Sequence, residues 1–145
     1  MRIFVDADAC PVKLQVEQAA RKYGIEVIYV VDYNHRITTD YGRVLTVDQG
    51  KDSVDLAIIN QLQKGDVVIT QDYGVASMAL AKRAYGMNQN GLEYSPDNID
   101  LLLMQRHESA KARRGGKRSA PIKKRTEEDD QAFLRAFSHL LSRIL

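Results

Sequence analysis

The sequence lacks the usual marks of an exported or membrane-bound protein. It has one cysteine, Cys10, so an intrachain disulfide is impossible. No apolar run approaches the roughly 18 residues that a membrane-spanning helix needs. The N-terminus shows no basic region followed by an apolar stretch, the pattern of a signal peptide. No cysteine and histidine residues have the spacing of a zinc site. We therefore expect a cytoplasmic protein that does not associate with membranes.

The composition and the apolar pattern indicate an α/β domain. The 145 residues are 44% hydrophobic and 28% charged, which is ordinary for one globular domain. Short β-branched runs at residues 3–5, 25–31, 44–47 and 67–69 predict strands, and helical patterns lie between them. This alternation predicts a central, mostly parallel sheet flanked by helices, a three-layer Rossmann-like architecture. Residues 91–94 add a possible last strand.

Turn and capping residues set the expected limits of the helices. Gly24 is expected to end the first helix, and Gly86 a small-residue helix over 76–85. Asp97 or Asn98 is expected to cap a short helix around residues 101–103. Thr126, with Asp129 three positions on, resembles a capping box before an amphipathic helix over 127–145. That helix could pack on its own domain or form the contact of a homodimer.

Basic residues are concentrated in one stretch. Residues 106–125, the basic strip, carry nine basic residues and one acid, a local charge of +8 in a chain whose formal net charge is +2. The nine are Arg106, Lys111, Arg113, Arg114, Lys117, Arg118, Lys123, Lys124 and Arg125. They divide the chain into a domain over 1–105, a basic linker or arm over 106–126, and the helix over 127–145. The strip could follow a phosphate backbone, and since it has no aromatics it offers no base stacking. A solvated linker to the last helix explains it equally well, and the strip alone is expected to be mobile.

Aspartates follow four of the predicted strands. They are Asp6 (with Asp8), Asp32, Asp48 and Asp72. Because the ligand crevice of an open α/β sheet lies at the carboxyl ends of its strands, residues distant in sequence converge there. Asp55 lies in the first turns of the next predicted helix and can point at the same sheet edge, and Asp52 shares its side.

Clustered carboxylates repel one another and raise their own pKa values, a penalty that a divalent cation removes. Oxygen-only ligands favour Mg²⁺ or Mn²⁺. Such an ion can activate water for attack on a phosphodiester. Helix capping is the competing explanation, and for Asp52 it is as good as metal binding. Asp32 and His35 are interpreted as loop residues, and Cys10 as a small structural residue.

Three motifs resemble a known family. Residues 6–12 (DADACPV), 48–57 (DQGKDSVDLA) and 66–74 (DVVITQDYG) resemble the bacterial YaiI/YqxD family, which is uncharacterised and similar to the PIN/NYN-like superfamily. The resemblance implies a PIN-like fold and Mg²⁺- or Mn²⁺-dependent ribonuclease activity. It implies metal-binding roles for Asp6, Asp55 and Asp72, with Lys51 and Thr70 beside them. Asp8 stands where many relatives carry Asn or another polar residue, and the residues after it are not general PIN features.

Three functions are consistent with these observations. The first is a metal-dependent nuclease acting on RNA, in which Asp6, Asp8, Asp55 and Asp72 bind the metal and the basic strip holds the strand. The second is a haloacid-dehalogenase-like phosphatase with Asp6 as nucleophile, although Cys10 replaces the usual Thr or Val and no late paired acid is evident. The third is a non-catalytic nucleic-acid or ribosome-associated module.

Overall fold

The fold is an α/β sandwich of three layers. A computed structural model describes residues 1–8, 10–50, 52–115 and 123–145. The strands are β1 (Arg2–Asp6), β2 (Glu26–Asp32), β3 (Arg43–Val47), β4 (Val67–Ile69), β5 (Tyr85–Met87) and β6 (Glu93–Tyr94). The helices are α1 (Lys13–Tyr23), α2 (Ser53–Gln61), α3 (Tyr73–Ala81), α4 (Pro96–Arg114) and α5 (Glu127–Ile144). In the described ranges, no helix combines the length and the apolar character needed to cross a membrane.

The strands form one sheet in the order β3-β2-β1-β4-β5-β6. The first five are parallel and β6 is antiparallel to β5, so the expected mostly parallel sheet is confirmed. The chain moves outward from β1 through β2 to β3, and then continues on the other side of β1 with β4. This reversal makes the gap between β1 and β4 the topological switch point, where a crevice opens beyond the carboxyl ends of the strands.

The two faces of the sheet are covered by different helices. Ile3 and Val5 of β1 pack with α1 and α5 on one face, whereas Phe4 packs with α2 and α3 on the other. This alternation follows from the two-residue period of a strand. Because both faces are covered, β1, β2 and β4 are almost continuously apolar, as expected for buried parallel strands.

Helix α5 packs on its own domain. Phe133 and Phe137 are fully buried, and their rings stack with centroids 5.4 Å apart. Leu140 and Leu141 complete the same apolar face, which joins the core formed by α1 and the sheet. The predicted capping box is present, since Thr126 exchanges hydrogen bonds with its N3 residue. The apolar face of α5 is therefore buried within its own chain.

Several helix limits differ from those expected. Gly86 lies inside β5, and α3 ends at Ala81, because the chain turns through Arg83, whose φ is +61°. Gly24 does end α1, in the left-handed conformation. Helix α4 runs for 19 residues. It begins after Ser95, which exchanges hydrogen bonds with Asn98, so neither Asp97 nor Asn98 is the cap.

The basic strip begins as regular structure. Residues 106–114 are the last nine residues of α4, so this part of the strip is helical and not the mobile linker that was expected. The helix continues past the predicted short segment because alanine and the long straight side chains of glutamate, lysine and arginine are good helix formers. The first nine residues of the strip are therefore part of a helix.

A buried carboxylate lies at the amino ends of β1 and β4, opposite the switch-point crevice. Asp66 is 3% exposed and precedes β4. Its Oδ1 accepts the backbone N–H of Arg2 at 2.9 Å, and its Oδ2 accepts the Arg2 guanidinium at 3.0 Å and the N–H of Gln63 at 2.9 Å. Charge-assisted hydrogen bonds of this kind offset the cost of burying a carboxylate, so Asp66 links β1, β4 and the residues after α2.

Candidate active site

Thr70 connects the two strands at the switch point. Its hydroxyl donates to Asp6 Oδ2 at 3.1 Å and accepts the backbone N–H of Asp72 at 3.0 Å. Its carbonyl accepts the Tyr94 hydroxyl at 2.9 Å, and Thr70 itself is 3% exposed. A hydroxyl with one proton and two lone pairs can serve both side-chain roles at once. Thr70 therefore fixes the exit of β1 relative to the start of α3.

Asp72 and Asp55 bring two further carboxylates to the same place. Asp72 caps α3, since its Oδ1 accepts the N–H of Val75 at 3.1 Å. Asp55, in the first turn of α2, lies close enough to hydrogen-bond Asp72 when one of the two is protonated. Asp52 occupies the N-cap position of α2 but makes no side-chain capping bond there. Capping thus accounts for one oxygen of Asp72 and leaves Asp55 unexplained.

Two of these acids, Asp6 and Asp55, lie in an environment that disfavours their ionised form. Burial raises the pKa of Asp6 to about 6; the hydrogen bond from Thr70 opposes this rise, and the negative charges of Asp8 and Asp72 add to it. Burial also raises the pKa of Asp55 to about 6, together with the charges of Asp72 and Asp6. Desolvation and like charges both disfavour the ionised form. The free protein therefore holds protons at this site well above the ordinary range of a carboxyl group.

A cleft of about 610 Å³ opens beside these acids. Its lining comprises Asp6, Gln71, Asp72, Tyr73, Leu102, Gln105, Arg106 and Ser109. Helix α4 supplies one wall, and the Arg106 guanidinium lies 5.9 Å from the centroid of the Tyr73 ring. Sequence reasoning placed Arg106 in the basic strip and overlooked Tyr73. The predicted helix was too short to reach residue 106, and the run of good helix formers after residue 103 was the signal that could have extended it to this wall.

Asp8 belongs to a neighbouring group. His35 Nδ1 lies 2.8 Å from Asp32 Oδ1 and 3.2 Å from Asp8 Oδ1. Its hydrogen bond goes to Asp32, so Asp8 Oδ1 is a buried atom without a hydrogen-bond partner. The hydrogen bond with Asp32 and the charge of Asp8 raise the pKa of His35, and the same hydrogen bond lowers the pKa of Asp32. Asp32 and His35, interpreted from sequence as plain loop residues, thus stand beside a predicted site residue.

The donor chemistry differs between the two groups. Within the described ranges, Asp8, Asp32 and His35 form the one set of three ligand-type side chains whose atoms all lie within 4.8 Å of one another. Asp6, Asp55 and Asp72 are set wider and offer oxygen alone. Mg²⁺ commonly takes one or two carboxylates and keeps several waters, so a wider set of oxygens fits it.

The basic residues that were predicted to bind substrate lie in different parts of the chain. Lys51, Lys117 and Arg118 lie outside the described residues, and Arg113 and Arg114 belong to α4. Lys123 and Lys124 are exposed.

The Arg125 side chain hydrogen-bonds other residues of the protein. Its guanidinium donates to Asp130 at 2.6 Å, to the Asn90 side chain at 2.9 Å and to the Gln89 carbonyl at 2.7 Å. A guanidinium has five N–H donors in a fixed geometry, and most of them are used here. These contacts use most of the donors with which Arg125 was predicted to hold a substrate phosphate, and the residue anchors the start of α5 to the β5–β6 turn.

Comparisons with known proteins agree on one family. Residues 4–143 match the family described as "Uncharacterized BCR, YaiI/YqxD family". The chain is 54% identical over 136 residues to a UPF0178 protein of Ruminiclostridium cellulolyticum, covering 94% of this chain and 89% of that one. It is 51% identical over 141 residues to a UPF0178 protein of Alkaliphilus oremlandii, covering 97% and 91%.

A third relative, UPF0178 protein NT01CX_0440 of Clostridium novyi, is 49% identical over 144 residues, covering 99% of this chain and 95% of the relative. No solved structure gives a significant match. The mostly parallel α/β sheet is consistent with a PIN-like architecture. On a family match that spans nearly its whole length, supported by relatives at about half identity, the chain belongs to the uncharacterised YaiI/YqxD family.

Proposed function

We propose that this protein is a Mg²⁺- or Mn²⁺-dependent nuclease that acts on RNA. The observation that carries the proposal is the meeting of Asp6, Asp55 and Asp72 at the switch point of the sheet, beside a large open cleft. Each acid comes from a different element, and together they cost stability in the free protein. Perturbed acids in a cleft are the usual sign of a functional site.

The donor set fits a hard divalent cation. Aspartate oxygens are the ligands that Mg²⁺ and Mn²⁺ prefer. A cation would also relieve the repulsion and the desolvation that raise the pKa values of Asp6 and Asp55. When bound, such an ion lowers the pKa of water and offsets negative charge that develops on a phosphodiester. We assign the site to Asp6, Asp55 and Asp72, with Asp8 and Asp52 at its margins.

The protein's own residues hold these acids in place. The hydrogen bond from Thr70 fixes one oxygen of Asp6, and the N–H of Val75 fixes one oxygen of Asp72. Each of the two carboxylates therefore presents its remaining oxygen in a defined direction. Preorganised groups of this kind avoid reorganisation during a reaction. In this proposal Thr70 is a positioning residue.

The cleft offers a positive group facing the acids. Arg106 lines it together with Tyr73, Gln105 and Ser109. A guanidinium can bind a phosphate through two parallel N–H donors, and the side chains beside it supply further donors. The exposed Lys123 and Lys124 add sequence-independent attraction for a nucleic-acid backbone. A chain of phosphodiesters is the substrate class that suits an acidic, metal-binding centre with a guanidinium in its cleft.

The proposal is tested with a pool of labelled single-stranded and structured RNA, titrated with Mg²⁺ and Mn²⁺. The wild-type protein is compared with Asp6→Asn and with Asp40→Asn, an equal change at an exposed position outside the cleft. We expect metal-dependent cleavage that is lost in Asp6→Asn and kept in Asp40→Asn. Full metal-dependent cleavage by Asp6→Asn would refute the site.

Three further measurements, together with the cleavage assay, separate the alternatives. A phosphatase with Asp6 as nucleophile would hydrolyse small phosphomonoesters and trap a beryllofluoride adduct on Asp6, and a nuclease would do neither. RNA binding without cleavage under either metal would favour a non-catalytic or ribosome-associated module. If calorimetry detected no metal binding, the aspartates would be helix caps and loop residues and not metal ligands.

A further inference from the structure

A buried tyrosine links the edge of the sheet to the candidate site. Tyr94 lies in β6, at one edge of the sheet, and is 2% exposed. Its hydroxyl donates a buried hydrogen bond to the Thr70 carbonyl at 2.9 Å. Thr70 follows β4, and β5 lies between β4 and β6. The Tyr94 side chain therefore reaches from the edge strand, past its neighbour, to the carboxyl end of an interior strand.

Gly86 makes room for the Tyr94 ring. It is the residue of β5 that pairs with Tyr94, and its neighbour on the other side is Val68 of β4. A Cβ atom at this position would lie 3.1 Å from Cδ2 of the Tyr94 ring, so a side chain there would press on the ring. A glycine inside a strand often marks such a close approach. The Tyr94 ring therefore packs directly against the backbone of β5.

The same ring supports one wall of the acidic cleft. The ring centroids of Tyr94 and Tyr73 lie 6.0 Å apart and the rings meet at 71°, an edge-to-face arrangement that aromatic pairs favour. Tyr73 packs on the small cluster in which Tyr94 is buried, and it lines the cleft next to Asp72. Tyr94 thus contacts the chain on both sides of Asp72, at Thr70 by a hydrogen bond and at Tyr73 by its ring.

The position of Thr70 affects two of the acids. Its hydroxyl donates to Asp6 Oδ2 at 3.1 Å and accepts the backbone N–H of Asp72 at 3.0 Å. The Thr70 N–H donates to the Met87 carbonyl at 3.1 Å, so β5 and Tyr94 each hold one of its backbone groups. If the Tyr94 hydroxyl were removed, the buried Thr70 carbonyl would lose this partner, which is costly. The exit of β4 would then shift, and the Thr70 hydroxyl would shift with it.

We propose that Tyr94 is a positioning residue of the candidate metal site, and that it acts through Thr70 to hold Asp6 and Asp72 in the arrangement that binds Mg²⁺ or Mn²⁺. This inference rests on the proposed metal-dependent function, and it adds a residue that is not among those lining the cleft. The arrangement of the acids then depends on the antiparallel edge strand β6. Removal of the hydroxyl alone should weaken metal binding, although the ring still fills its place.

The first test compares Mn²⁺ binding by the wild type, Tyr94→Phe and Tyr41→Phe in titration calorimetry. Tyr41 is a matched control because its hydroxyl also donates to a backbone carbonyl, that of Ile25 at 2.5 Å, which lies just before β2 and opposite the acids. We expect the Kd for Mn²⁺ to rise about tenfold in Tyr94→Phe and to stay within about twofold in Tyr41→Phe. Unchanged affinity in Tyr94→Phe, or equal weakening in both variants, overturns the positioning role.

The second test shows whether the effect passes through Thr70. Hydrogen exchange of the Asp72 amide, which donates to the Thr70 hydroxyl, is followed by NMR in EDTA. Exchange reports local opening, and we expect it to be about fivefold faster in Tyr94→Phe and within about twofold of the wild type in Tyr41→Phe. An Asp72 amide that exchanges equally slowly in Tyr94→Phe and the wild type overturns the route through Thr70.

A cleavage assay separates the metal site from the wall of the cleft. If Tyr94 acts on metal affinity, saturating Mn²⁺ should restore most of the kcat of Tyr94→Phe, and the KM for RNA should be unchanged. A higher KM with unchanged Mn²⁺ affinity would place the effect at Tyr73 and overturn the proposal. Wild-type protein that binds no Mn²⁺ would overturn the proposed function and this inference together. Equal Mn²⁺ binding by the wild type and Tyr94→Phe would remove this inference alone.

Discussion

Asp55 is the residue at which the cost of the acidic site is easiest to measure. Its pKa is raised to about 6 by burial and by the charges of Asp72 and Asp6. The folded protein therefore binds more protons than the unfolded chain between about pH 4 and pH 6. The free energy of unfolding decreases with pH wherever the folded state binds more protons than the unfolded chain. Stability must therefore fall as the pH rises through that window.

Replacing Asp55 by Asn should stabilise the metal-free protein at pH 7.5. Each unit of pKa shift corresponds to about 1.4 kcal/mol, and because Asp55 is partly exposed we expect a gain of roughly 1 kcal/mol after allowing for solvent screening. At pH 4.5 most of this gain should vanish, since the wild-type acids are then largely protonated. Urea unfolding in EDTA at both pH values measures it, with Asp40→Asn as the control. A loss of stability at pH 7.5 would contradict the repulsion.

Arg106 is the residue of α4 that should bind substrate. Arg106→Gln removes a guanidinium beside Tyr73 while keeping a polar side chain in the cleft. Hydrogen bonds to charged groups are worth about 1.5–3 kcal/mol, so we expect an increase in the KM for RNA of about tenfold. Metal binding, followed by calorimetry, should be unchanged. Arg135→Gln, an exposed change on α5, is the control, and equal effects of the two variants would show that only net charge matters.

At the scale of elements, α5 depends on the capping box at its start. Thr126 accepts the N–H of Asp129 at 3.2 Å, and the Asp129 side chain accepts the N–H of Thr126 at 2.8 Å. Loss of an N-cap typically costs about 1 kcal/mol. Thr126→Ala should therefore lower the free energy of unfolding by about that amount in urea titrations. Thr38→Ala, in an exposed loop, should change it by less than about 0.5 kcal/mol, and an equally small effect at Thr126 would show that the cap contributes nothing.

The elements that the sequence predicted are those with a local apolar or capping pattern. Strands β1, β2 and β4 are short apolar runs, and the capping box of α5 is a local signal. Strand β5 was missed because its three residues, with Gly86 at the centre, have little strand propensity alone. It forms because β4 and β6 pair with it on both sides, and such tertiary pairing overrides local preference.

The part of the candidate site that follows from the order of strands was predicted, and the part that depends on loop paths and helix length was not. Asp6, Asp55 and Asp72 could be placed together because parallel strands end at one edge. The pairing of Asp32 with His35, and the arrival of Arg106 at the cleft, depend on the path of a loop and on the length of α4. The pairing has no local sequence signal, whereas the length of α4 has one in the helix-forming residues that follow residue 103. Arg125 looked like its basic neighbours, and its partners on the β5–β6 turn lie 35 residues or more away.

At the scale of the whole molecule, α5 and the sheet form one core. Phe137 is fully buried and stacks on Phe133. Phe137→Ala should lower the free energy of unfolding by about 3–5 kcal/mol, because truncating a buried aromatic removes apolar burial and leaves a cavity. Leu14→Ala on α1, where the side chain is 72% exposed, is the control and should change it by less than about 0.5 kcal/mol. If α5 instead melted alone in a separate transition, it would be an appended element rather than part of the domain.

Asp66, which is buried, and Asp6, which is partly buried, show two ways in which this fold uses an aspartate. Asp66 has its oxygens filled by Arg2 and Gln63, whereas Asp6 has a single hydrogen bond from Thr70 and acids for neighbours. Evolution under selection for thermostability alone, without metal, should therefore leave Asp66 untouched and replace the acids of the cleft first. The order in which these aspartates disappear from such a laboratory lineage would record which end of the sheet is kept for folding and which for activity.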